Sequence, residues 1–178
     1  MRTVLSMRVF IASVTMATLA VVSAGAASAS AGASPIPRCQ SSQMRVTHGP
    51  VTSTILIEGR RVSTPIIFTN VGARCEIWGT PILQPVVGPT HKLASPPAFN
   101  RSIGQMPALH IVAPGAAVST IFIDTLYFSL ATCSVTAADG LIVEIPTFVR
   151  QTYVALPMTV CAGMTATSTQ LIVNGVLG

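Results

Sequence analysis

From Cys39 onward the apolar positions fall in short runs rich in Val, Ile, Thr and Phe, and Gly, Pro or Asn interrupts each run before it grows long. Short runs of β-branched and aromatic residues between turn formers predict strands rather than helices. The expected strands lie near 42–48, 53–58, 62–69, 74–78, 82–87, 109–113, 117–124, 140–145, 151–156 and 168–174. Pro50, Pro65, Pro81, Pro85, Pro114, Pro146 and Pro157 are expected at strand ends or edges, where a missing N–H is tolerated. No long 3.6-residue apolar stripe supports a helix. The stretch "DTLYFSLA" at 124–131 is the one candidate for a helical coil and reads equally as a loop or a 3₁₀ turn, and "TAAD" at 136–139 reads as another single turn. No internal repeat is evident. The pattern predicts an all-β domain.

The segment "TPIIFTNVGARCEIWGTP", 64–81, shows the logic locally. Ile66, Ile67 and Phe68 predict a buried strand. Asn70-Val71-Gly72 supplies residues that tolerate positive φ, so the chain is expected to reverse there. Cys75 lies on the returning strand, Trp78 is expected to anchor the core, and Gly79-Thr80-Pro81 ends the strand. In "LHIVAPGAAVSTIFID", 109–124, Pro114-Gly115 predicts a type II turn with proline second and glycine third. Residues 88–108 form the longest irregular stretch and are expected to be a surface loop.

Ahead of the domain, residues 1–31 have the order of a cleaved signal peptide. Arg2 and Arg8 start it, an uncharged apolar run of about 14 residues follows, and small residues offer cleavage after Ala29 or Ala31. The run is shorter than the roughly 20 residues that span a bilayer, and no later segment is long and apolar enough to span one. Residues 32–38 form a short lead-in, and 39–178 a single domain. The expected location is extracellular or cell-wall associated.

All four cysteines follow the leader. An even count in an exported chain predicts disulfides. Of the three possible pairings, Cys39–Cys75 and Cys133–Cys161 close loops of moderate length and are favoured. No two cysteines stand at C-x-x-C spacing, and no histidine lies at ligand spacing from one, so no metal site and no cofactor are expected.

With Arg2 and Arg8 in the leader, 8 basic and 5 acidic side chains remain, a net charge of about +3. The basic residues are scattered and lack interleaved aromatics, which argues against nucleic-acid binding. No G-x-S-x-G, Walker loop or Rossmann glycine pattern is present. His48, His91 and His110 stand apart in sequence, and the five acids form no close pair, although Asp124 and Glu144 end predicted strands and could approach in space. No catalytic residue is expected.

The ordered set "CQSSQMRV" (39–46), "FTNVGARCEIWGTP" (68–81), "LHIVAPGAAVSTI" (109–121), "CSVTAADGLIVEIP" (133–146) and "YVALPMTVC" (153–161) resembles the secreted actinobacterial domain of unknown function 4232 across nearly the whole mature chain. It departs from that pattern in the short basic "EGRRVSTP" and in the Ser-Val after the third cysteine. The resemblance implies an immunoglobulin-like, Greek-key β-sandwich and carries over no catalytic residue. The expectation is a monomeric, non-enzymatic module with an unknown protein or cell-wall partner. The alternative is a carrier of a small apolar ligand or lipid.

Overall fold

The computed structural model describes residues 35–57, 59–100, 108–127, 134–145, 150–162 and 171–173. The chain divides into two units, Met1–Ser34 and Pro35–Gly178, and all described residues belong to the second. The expected signal peptide, 1–31, lies outside the described residues.

Twelve strands carry the described chain: β1 (Met44–His48), β2 (Thr52–Leu56), β3 (Gly59–Asn70), β4 (Cys75–Ile77), β5 (Ile82–Val87), β6 (Lys92–Leu93), β7 (Phe99–Asn100), β8 (His110–Val112), β9 (Ala117–Tyr127), β10 (Ser134–Glu144), β11 (Thr152–Ala162) and β12 (Leu171–Val173). Among the described residues the helical element is one 3₁₀ turn, Ser41–Gln43. One sheet runs β1-β3-β9-β12-β7, with β2 also on β3; a second runs β11-β10-β5-β6; β4 and β8 pair separately. All pairings are antiparallel except β12 with β7. The protein is all-β, with its sheets in a sandwich-like arrangement.

Period-two alternation builds the core. On β3, Thr64, Ile66, Phe68 and Asn70 are buried, and the residues between them are half-exposed. Val118 and Phe122 of β9 lie beside them, and Leu83, Leu141, Val143, Val154 and Leu156 enter the same cluster from the second sheet. Fully burying one such side chain stabilises the fold by about 1.5–3 kcal/mol.

Pro65 stands in the middle of β3, not at its end, and its position explains the sheet edge. In an antiparallel strand the N–H and C=O of one residue point to the same side. The Pro65 carbonyl accepts from Gly49 N–H at 2.8 Å, so the absent Pro65 N–H also points toward 49–51. A continuous partner would leave a carbonyl unsatisfied there. The partner is broken instead: β1 pairs with Ile66–Asn70 positions, β2 with 59–63, and Gly49-Pro50-Val51 lies between. Pro85 behaves alike on β5. Its carbonyl accepts from Ala94 N–H at 2.9 Å, on the side of the two-residue β6. Pro157 lies inside β11, an edge strand. These three prolines are therefore within strands rather than at their ends; Pro146 lies outside the described residues.

The 70–75 reversal also differs from expectation. Neither Asn70 nor Gly72 adopts positive φ. Asn70 acts through its side chain: Nδ2 donates to the carbonyls of Ala73 (2.8 Å) and Val112 (2.9 Å), and Oδ1 accepts from Gly72 N–H (2.8 Å). Gly72 is needed for space, since a Cβ there would sit 2.8 Å from Gln43 Cγ. The turn delivers Cys75 to Cys39, and the two form a disulfide in the fully buried core. Cys161 is also disulfide-bonded and not free. Cys133, the partner expected for it, lies outside the described residues.

Trp78 is not a core anchor. It is 36% exposed and lies under the Arg38 guanidinium, 5.4 Å from the ring centroid. Pro114-Gly115 forms the expected type II turn: Ala116 N–H donates to Ala113 C=O at 3.0 Å, and Gly115 has φ 78°. The described parts of 124–131 and the whole of 136–139 are strand, in β9 and β10. Much of the described part of 88–108 is tied to β5: β6 pairs with it, and Ala98 N–H donates to Leu83 C=O at 2.8 Å.

Candidate functional site

The broken edge strand opens the sandwich on one side. β1 lies against β11 of the opposite sheet. Beyond Pro50, β2 stays on β3, and a cleft of about 500 Å³ separates it from β10 and β11. Alternation selects the lining: Val51 and Ser53 from the edge, Arg60, Val62 and Thr64 from β3, Phe122 and Asp124 from β9. Ala138, Leu156 and Met158 face them from the second sheet.

The walls are mostly apolar, and the polar groups sit at two depths. Thr64 and Asp124 are 1% and 3% exposed, whereas Arg60 and Asp139 are exposed. A buried carboxyl group is costly unless hydrogen bonds or charges compensate its lost hydration, and Asp124 interacts with other groups of the protein. A volume of this size, apolar with a few convergent polar groups, has the character of a small-molecule site.

The rim of the cleft is β2. Its sequence, Thr52-Ser53-Thr54-Ile55-Leu56, holds no charge and no proline, and Ile55 is 74% exposed. The other described edges are blunted, and β4 and β8 are only three residues long. β1 carries exposed Arg45, β6 is two residues long with Lys92, β7 is two residues long, and β11 contains Pro157. Charge, proline and shortness are the usual devices against edge pairing; β2 lacks all three.

The three histidines lie on separate elements. His48 is exposed on β1 with Nδ1 2.8 Å from Gly49 O, His91 is in the 88–91 turn, and His110 is half-buried on β8. Asp124 and Glu144 do not meet: Asp124 faces inward, whereas Glu144 pairs with exposed Ile82 and faces outward on the second sheet. Among the described residues no group of three or more His, Cys, Asp or Glu could hold a metal ion. Also among them, no helix is long and apolar enough to cross a membrane.

The cleft lining was not readable as a set from the sequence, because it depends on two strands sharing one edge of β3. The uncharged run "TSTILI" at 52–57 was the available signal for the rim. No protein-family model matches the chain, and no curated protein matches it.

Proposed function

We propose that the protein is an exported, non-enzymatic interaction module, of the four-cysteine family it resembles, that binds an extended segment of an envelope or extracellular partner along β2. The unblunted β2 edge beside the apolar cleft carries this reading. An added strand gains main-chain hydrogen bonds along the free edge, and its alternate side chains enter pockets that give specificity. Val51, Ser53 and the cleft walls would receive those side chains, so the partner segment is β-branched and apolar at every second position. The buried Cys39–Cys75 disulfide supports an oxidising compartment. Two sheets joined through one core are compatible with the immunoglobulin-like topology that the resemblance implies. Asp124 in the cleft stands apart from His91 and Glu144 on the outward face of the second sheet, and His48 is exposed on β1, which supports binding rather than catalysis.

Peptide display against the protein tests this reading. Selected sequences should alternate apolar and polar residues, and Ile55→Lys should abolish their binding while leaving the melting temperature unchanged. Selection of peptides that ignore Ile55→Lys would refute it.

The cleft favours a second reading, a carrier of a small apolar ligand or lipid, with Val62, Phe122, Leu156 and Met158 against the acyl or ring carbons. Mass spectrometry of an organic extract of natively purified protein should then show a stoichiometric lipid; a clean extract ends that reading.

A further inference from the structure

The outward face of the second sheet carries a separate, built surface. The register turns Leu83 and Pro85 inward with Val143 and Leu141, and turns Gln84 and Val86 outward with Ile142 and Gly140. Val86 is nevertheless fully buried and stands outside the inter-sheet cluster. Something covers it on the solvent side. Its cross-strand neighbour Gly140 is packed by the Tyr153 ring, so closely that a Cβ on Gly140 would lie 2.7 Å from Tyr153 Cε2. A register shift between Ala138 and Gly140 accompanies this approach.

His91 completes the platform. Its ring stacks on Tyr153 with centroids 4.5 Å apart and planes within 12°. To reach that place His91 adopts φ 51°, the one non-glycine residue in the left-handed region among those described. The turn holding it is fastened: Gly88 N–H donates to the Asp139 carboxylate at 2.6 Å, His91 N–H to Gly88 C=O at 3.1 Å, and Tyr153 Oη to Asp139 C=O at 3.2 Å. Strained backbone kept in place by its surroundings is a pointer to function.

Beside the stack runs a groove of about 430 Å³ with Ile82, Ile142 and Leu93 as apolar surface. Its polar side chains are already oriented. Gln151 Nε2 donates to Glu144 Oε2 at 2.9 Å, and Gln84 Nε2 donates to the Ser95 carbonyl. Each amide thus spends one of its two N–H donors on the protein, and the Oε1 atoms and the Glu144 carboxylate add acceptors. The groove therefore suits a ligand that brings hydroxyl or amide groups together with flat aliphatic faces, and the Glu144 carboxylate disfavours carboxylates and phosphates.

We propose that this groove binds a neutral sugar chain bearing hydroxyl and acetamido groups, with the His91–Tyr153 stack against a sugar face, Glu144 accepting from its polar hydrogens, and Gln151 and Gln84 exchanging hydrogen bonds with its hydroxyl and amide groups. The site lies on the opposite side of the sheet from the cleft and does not depend on the β2 reading. Titration of the protein with the soluble β-1,4-linked tetramer of N-acetylglucosamine, followed by calorimetry and by amide NMR, tests it. Saturable binding is expected, with shifts confined to residues near 82–93, 142–144 and 151–153. His91→Gly suits the left-handed backbone, so it should keep the fold while weakening binding about tenfold or more, the loss expected for an aromatic anchor. Ile55→Lys should leave sugar binding unchanged. No saturable binding, equal binding by wild type and folded His91→Gly, or equally tight binding of an oligogalacturonate would overturn the proposal.

Discussion

Replacing Asn70 by alanine should unfold a larger share of this protein than any surface substitution of similar size. Asn70 is fully buried, and its side chain serves three main-chain groups: two carbonyls and one N–H, all at 2.8–2.9 Å. A buried group left without a partner costs about 1–3 kcal/mol. The Val112 bond is buried and warrants the upper half of that range; the Ala73 and Gly72 bonds are part-buried and warrant the lower end. The sum is about 4 kcal/mol, against a total stability of about 5–15 kcal/mol for a domain. Urea unfolding of Asn70→Ala with the disulfide intact should show the midpoint fall with an unchanged slope. Asn70→Asp is nearly the same shape and keeps the Gly72 bond, yet it cannot donate to either carbonyl when ionised. It should cost at least as much as alanine at neutral pH. A loss below about 1 kcal/mol for alanine, or a milder effect for aspartate, would refute the claim that donation by Nδ2 holds this reversal together.

Other outcomes follow from the same geometry. Removing the disulfide by Cys39→Ala with Cys75→Ala frees a loop of sequence separation 36, and chain entropy puts the loss at about 4 kcal/mol, readable by the same urea titration. Phe68→Ala, at a fully buried position, should cost about 3–5 kcal/mol. Gly140→Ala drives a methyl group into Val154 O and the Tyr153 ring, whereas Gly115→Ala meets open space at φ 78°. The first should therefore lower the melting temperature far more than the second, which costs only about 1–2 kcal/mol of left-handed strain.

The strand content was legible because its signal is local. The run 62–69, the "ILQPVV" run at 82–87 and the Pro114-Gly115 turn each declare themselves within a few residues. Misreadings came where a breaker had a tertiary reason. Pro65 read as an end or edge, but β3 continues through it because its edge partner is broken at 49–51, on the side of the missing N–H; Pro157 does lie on an edge strand. Ala137, Ala138 and Asp139 disfavour strand, and pairing of β10 with β11 draws them into it. Asn70 invited a conformational explanation, while its role is a long-range hydrogen bond to Val112, invisible to any local window. The cleft and the outer groove were hidden for the same reason, since each gathers residues from several strands.

The clamp at Cys39 also governs how the domain bears load. Cys39 N–H donates to Glu76 C=O, Glu76 N–H donates to Pro37 C=O, and the sulfur bridge joins the same two segments. Tension entering through the residues before Cys39 therefore passes sideways into β4, and the β1–β3 ladder is spared from being peeled one rung at a time. With the bridge intact the first yielding step is a shearing of whole segments. With it reduced, the domain becomes a zipper that opens from β1, so the redox state of one cystine sets its mechanical strength.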